Sequence, residues 1–93
     1  MGKHTPLHIA ARAGRAEVVE LLLTMGAEVD ARMMEGATPL LLSAAQGDAQ
    51  SVKQLLGKGA DPNAATDEGE RPLNEALLYG HAEVARQLVA GGA

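Results

Sequence analysis

The residues with chemical reach are few and scattered. His4 and His8 stand four apart, a spacing at which two imidazoles on one helix face hold a metal ion. Pro6 lies between them, and proline belongs in the first turn of a helix, where its missing N–H costs nothing. Thr5 before it is a capping residue whose hydroxyl can accept from the backbone N–H of His8. His4 therefore precedes the helix, and the two rings are not expected to share a face. Ser43 and Ser51 have no neighbour in register that could act as a base. The chain contains no Cys, which removes thiolate, disulfide and cysteine–zinc chemistry and leaves the redox compartment unmarked. Its glycines occur singly at turn positions, and none builds a phosphate-cradling loop. No catalytic residue, metal ligand or cofactor is expected; the chain reads as a non-enzyme.

Charge is the other chemical resource. The net charge is −4 and it is unevenly spread: residues 1–32 carry four basic and four acidic groups, 33–65 carry two and three, and 66–93 carry two and five. Asp67, Glu68 and Glu70 concentrate the excess in one short stretch, which reads either as a solvated turn or as a contact for a basic partner. An acidic chain without a basic stripe argues against nucleic acid or an anionic membrane as the main partner. No apolar run approaches the roughly 20 residues of a membrane span, and Met1-Gly2-Lys3-His4 has no signal-peptide character. A soluble, intracellular, cytoplasmic protein is expected.

What positions these residues is a repeat. Thr5-Pro6-Leu7-His8-Ile9-Ala10-Ala11 returns 33 residues later as Thr38-Pro39-Leu40-Leu41-Leu42-Ser43-Ala44, and again as Arg71-Pro72-Leu73-Asn74-Glu75-Ala76-Leu77. Seven positions are identical in all three copies, beginning with Pro6, Leu7, Gly14, Ala16, Leu22, Gly26 and Ala27. Four of those are Gly or Ala, a signature of packing and turns. Each copy predicts a short helix (Pro6 to about Ala13), a glycine turn, a second helix (Ala16 to about Met25) with a broad apolar face, and a loop. Gly36 and Gly69 fall where a hairpin-like turn needs positive φ. With one Tyr and no Phe or Trp, the core must be built from Ala, Leu, Val and Ile. One such helix pair cannot bury its apolar stripe, whereas stacked neighbours can.

The period, the Thr5–Ala11 heptad and the segments Glu17-Val18-Val19-Glu20-Leu21-Leu22-Leu23 and Gly26-Ala27-Glu28-Val29-Asp30-Ala31 resemble the ankyrin repeat family. The resemblance covers nearly the whole chain. It implies an all-α solenoid of three helix–turn–helix units joined by hairpin-like loops, one domain over 1–93 with repeats at about 1–32, 33–65 and 66–93. It gives His8 and His81 structural roles, the His8 ring bonding the turn near Thr5. It also marks departures. Met33 replaces a turn Asp that would bond its own backbone. Leu41 and Asn74 replace His8, Pro62 replaces a Val, and Arg71 replaces the capping Thr, at a cost of about 1 kcal/mol.

The resemblance further implies a non-catalytic module that binds a protein partner through its hairpin tips and the concave surface of its first helices. The positions concerned are Arg12, Arg32, Met33, Met34, Glu35, Gln46, Asp67, Glu68, Glu70, Leu78 and Tyr79. Met33, Met34, Leu78 and Tyr79 would supply an adaptable apolar patch; alternatively Leu77 and Leu78 fold over the last repeat to close the core. Asn63 is similar to loop asparagines that intracellular hydroxylases modify, its ordinary role being to order the loop. The chain begins about four residues before Pro6 and stops at Gly92-Ala93, and the first repeat has no polar outer face. A piece of a longer array, or a chain whose exposed repeat ends stack into a homo-oligomer, is expected from this. Glu75 and Ala85 are expected to act as a partial cap on the third repeat.

Overall fold

The computed structural model describes residues 4–93, which form six α-helices: α1 (Pro6–Arg12), α2 (Ala16–Thr24), α3 (Pro39–Gln46), α4 (Ala49–Gly57), α5 (Pro72–Leu78) and α6 (Ala82–Ala90). Among the described residues there is no strand. The helices make three helix–turn–helix units stacked as a solenoid. First helices pack in one layer, α1 on α3 and α3 on α5, and second helices in another, α2 on α4 and α4 on α6.

Capping chemistry starts the first helices. Thr5 Oγ1 accepts from the His8 N–H at 3.3 Å, and the Thr5 N–H is returned to His8 Nδ1 at 3.2 Å. This is a reciprocal capping box in which imidazole takes the place usually held by Glu or Gln. Thr38 repeats half of it, accepting from the Leu41 N–H at 3.2 Å. Arg71 stands at the third such position with no side-chain bond to the helix, so α5 begins with its first N–H groups uncapped. At the start of α4, Asp48 accepts from the Ser51 N–H at 3.2 Å and from the Ser51 hydroxyl at 2.6 Å. The first two helices end one residue earlier than the sequence predicts, at Arg12 and Thr24, because Ala13 and Met25 already serve as the closing caps.

The core is a continuous column of aliphatic side chains: Leu7, Val19, Leu40, Val52, Leu55, Val84 and Leu88 are all essentially inaccessible. Each such burial stabilises by roughly 1.5–3 kcal/mol. Ala10, Ala11, Ala44 and Ala76 line the same column and let the first helices approach closely without aromatic fillers. The turn between α3 and α4 is tighter still. Gly47 has φ of 75°, and a Cβ there would lie 2.5 Å from His81 Nδ1. His81 lies over that glycine and bonds through Nε2 to the Ala45 carbonyl at 3.1 Å, tying the third helix pair to the second.

Two expectations fail. Glu75 does not cap the outer end of the third unit. It occupies the register of Leu42, half-buried on the side of α5 that faces α3, and burial, assisted by nearby Glu70, raises its carboxyl pKa above the ordinary value. Leu77 and Leu78 do not fold over the core either; both are exposed, because successive residues on a seven-residue helix leave it in different directions, and Ala76 is the one that points inward.

Candidate functional site

Two loops project from the layer of first helices, and the same backbone bonds build each of them 33 residues apart. In the first, the Met33 N–H is donated to the Ala37 carbonyl at 2.9 Å and the Gly36 N–H to the Met33 carbonyl at 2.8 Å. In the second, Thr66 N–H donates to Glu70 O at 2.8 Å and Gly69 N–H to Thr66 O at 2.9 Å. Gly36 and Gly69 take the positive φ that the sequence predicts, 88° and 83°.

Side chains make the two fingers differ. Thr66 Oγ1 accepts from the N–H groups of Glu68 at 3.3 Å and Glu70 at 3.1 Å, so the acidic finger is clamped by its own hydroxyl. Met33 has no side-chain oxygen to offer its turn. There Glu35 takes a left-handed conformation, φ 72° and ψ 4°, the geometry of the third residue of a type II turn and one that glycine prefers. The fingers are also tied together. The Asp67 N–H donates to the Glu35 carbonyl at 2.9 Å, and Arg32 Nη1 donates to the carbonyls of Gly36 at 3.2 Å and Ala65 at 2.7 Å.

Behind the first finger lies His8. Its ring is fully buried, and its Nδ1 accepts from the Thr5 N–H while the Thr5 hydroxyl stands 2.8 Å away. The ring proton therefore sits on Nε2, which donates to the Ala37 carbonyl at 3.0 Å. The pKa lies below the ordinary imidazole value, chiefly because burial disfavours the cation, and the backbone carbonyls of Ala37 and Ala31 offset only part of that. His8 thus couples the cap of α1 to the base of the first finger. Its ring stands edge-on to that of the exposed His4, centroids 6.1 Å apart.

The candidate contact residues fall into three groups. Met34 and Glu35 are exposed at the tip of the first finger, with Met33 half-buried beneath them; Arg12, the last residue of α1, reaches Met33 Sδ with Nη2 at 3.7 Å. Asp67, Glu68 and Glu70 are exposed on the second finger. Gln46, Leu78 and Tyr79 are exposed at the ends of α3 and α5, Leu78 by 70%. The Tyr79 ring lies 6.5 Å from that of His81. Arg32 is exposed as well, but its guanidinium is occupied in bracing the fingers. Asn63 is exposed and orders its loop: its N–H donates to Asp61 Oδ1 at 2.9 Å and its side-chain amide to the Gly92 carbonyl at 3.1 Å. The bracing by Arg32 and the clamp at Thr66 were missed by sequence reasoning. The Thr66 signal was available, since Met33 and Thr66 share a register.

A family model for ankyrin repeats, in three copies, matches residues 7–93. The chain belongs to the ankyrin repeat family. Ankyrin repeats are generally protein–protein interaction modules. No curated protein matches the chain. None of the six helices is long and apolar enough to cross a membrane.

Proposed function

We propose that this chain is a non-catalytic module that holds a protein partner against its two fingers and the exposed ends of α1, α3 and α5. The observation that carries the reading is the exposure of Met34, Leu78 and Tyr79 on a frame whose fingers are fixed by Arg32, Thr66 and backbone bonds. Braced loops need little ordering when a partner covers them, and aromatic and Met residues are enriched at such contacts. The acidic finger beside them adds charge that favours a partner with basic groups at its rim. An intracellular, cytoplasmic setting goes with this reading.

The test is affinity capture by the native chain beside a Met34→Ala/Tyr79→Ala variant. Both side chains are exposed, so the variant keeps its unfolding midpoint. Loss of the captured protein at unchanged stability supports the reading, and equal capture by both chains contradicts it.

A second reading has its own observation. In the 93-residue chain both ends of the stack present apolar side chains, Ile9, Val18 and Leu21 at one and Leu77 and Val89 at the other. Covering them with another copy would make the chain an assembly element. A molar mass that rises with concentration favours this, and a mass fixed at one chain removes it.

A further inference from the structure

The repeat itself states which side of each helix pair faces which neighbour, because one register position is buried inside the stack and exposed only at an end. Val18 is 43% exposed, while Val84, two periods on, is 1% exposed and Ser51 is 0% exposed. Pro6 and Ile9 are exposed, whereas Pro39, Pro72, Leu42 and Glu75 are covered or half-covered. These positions face the preceding pair. Leu77 is 63% exposed where Ala11 and Ala44 are 0%, and Val89 is exposed where Leu23 is buried and Leu56 half-buried. These face the following pair.

The two end faces then compare directly with the buried ones. The leading face of the second pair carries Ser43, Ser51 and Gln54, and the Ser43 hydroxyl and Gln54 carbonyl oxygen are buried without a partner. The same register in the first pair holds Ala10, Val18 and Leu21. The face open to solvent is therefore more apolar than its counterpart in the core, the reverse of what solvation favours. At the other end the trailing faces read Leu7, Ala11, Val19, Leu23, then Leu40, Ala44, Val52, Leu56, then Leu73, Leu77, Ala85, Val89. Every face consists of two Leu, one Ala and one Val. The exposed one conserves the total side-chain volume of the buried ones and moves bulk from α6 to α5. It lines an apolar trough of about 560 Å³, and Pro6, Ile9, Ala10, Val18 and Leu22 line one of about 480 Å³ at the leading end.

We propose that the 93-residue chain joins a second copy of itself head to tail, the α5–α6 face of one molecule against the α1–α2 face of the next. This rests on the assembly reading above and adds its polarity and a specific contact. The occupant is a second copy because the chain carries both halves of an interface that it already makes twice within itself, and its exposed α5–α6 face keeps the residue types of the two buried ones. Net charge does not oppose it: residues 1–32 carry four basic and four acidic groups, so the acidic third unit meets a unit with no net negative charge. Arg15 shares a register with His81, which lies over Gly47 and donates to Ala45 O. In the joined pair Arg15 stands over Gly80 of the second copy, where the space above the glycine is open, and donates to the carbonyl of that copy's Leu78. Such a heterologous contact leaves one face of each kind free in a dimer, so growth continues beyond two chains.

Three variants test this by sedimentation velocity over a concentration series, with circular dichroism as the check on folding: Ile9→Glu/Val18→Glu, Leu77→Glu/Val89→Glu, and Arg15→Glu. The native chain gains mass with concentration beyond a dimer. Each double variant alone stays a monomer, since one face now buries unpaired charge. Mixed one to one, the two double variants form a heterodimer and stop there, each supplying the face the other lacks. Arg15→Glu weakens association roughly tenfold by losing a charge-assisted bond. A native chain that associates while the mixture stays monomeric overturns the head-to-tail polarity but leaves assembly standing. A native chain that is monomeric throughout overturns assembly itself.

Discussion

Replacing His8 with alanine removes an imidazole that is fully buried and joins the cap of α1 to the base of the first finger. Two effects add. The Thr5 N–H, 3.2 Å from Nδ1, and the Ala37 carbonyl, 3.0 Å from Nε2, lose their partners, each at about 1–3 kcal/mol if left unsatisfied. The ring also leaves a cavity, which costs on the order of 1–2 kcal/mol for an aromatic of this size that water can partly fill. Together the loss is about 3–8 kcal/mol, a large share of the 5–15 kcal/mol that holds a small domain. His8→Leu separates the terms: it keeps most of the volume, as Leu41 does at the same register, but orphans both backbone groups, and should cost about 2–6 kcal/mol, less than His8→Ala by the cavity term. Urea unfolding followed by circular dichroism at low temperature reads both. A His8→Ala chain within about 0.5 kcal/mol of the native one would refute the claim that the ring is a structural strut, and so would a His8→Leu chain less stable than His8→Ala.

Other perturbations address other parts of the frame. Because the folded-state pKa of His8 lies below its unfolded value, the unfolded chain takes up a proton first on acidification. Its contribution is complete above the unfolded value of about 6.5 and is lost as pH falls toward the lower folded value; unfolding midpoints measured from pH 8 down to pH 5 should fall, and His8→Leu should flatten that part of the profile. Arg71→Thr supplies the missing cap on α5 and should raise stability by about 1 kcal/mol, seen as a higher urea midpoint at unchanged slope. Glu35→Gly relieves a left-handed non-glycine residue but loosens the unfolded chain, for a net gain of about 0.5 kcal/mol and a melting temperature raised by about 2–4 °C. Reversing Asp67, Glu68 and Glu70 to Lys should slow association with a captured partner and flatten the salt dependence of its rate; stopped-flow mixing at two ionic strengths reads this.

The sequence disclosed the frame because the frame is periodic. Thr5, Pro6 and Gly14 declare a helix start and stop by local chemistry alone, and three copies in register imply that successive helix pairs stack. Glu75 resembled a polar cap when compared with Ile9 as a substitution, yet Ile9 faces outward only because it lies at the leading end. The same position in the third unit faces α3. What the sequence could not disclose is long-range and set by side-chain reach. Arg32 spans to Ala65, and His81 lies on Gly47 from the next helix pair. The left-handed Glu35 lies in the turn to which Met33 offers no side-chain oxygen, a pairing visible only with backbone angles in hand. The candidate contact surface was legible as a set of positions, while the division of labour within it, Arg32 bracing and Met34, Leu78 and Tyr79 exposed, was not.

The most direct test of the binding surface is amide hydrogen exchange on the chain with and without a captured partner. New protection is expected to concentrate at residues 33–36, 67–70 and 78–79, on the fingers and at the end of α5, with the outer helices α2, α4 and α6 unchanged. Protection confined to those outer helices, with the fingers exchanging as freely as before, would contradict it.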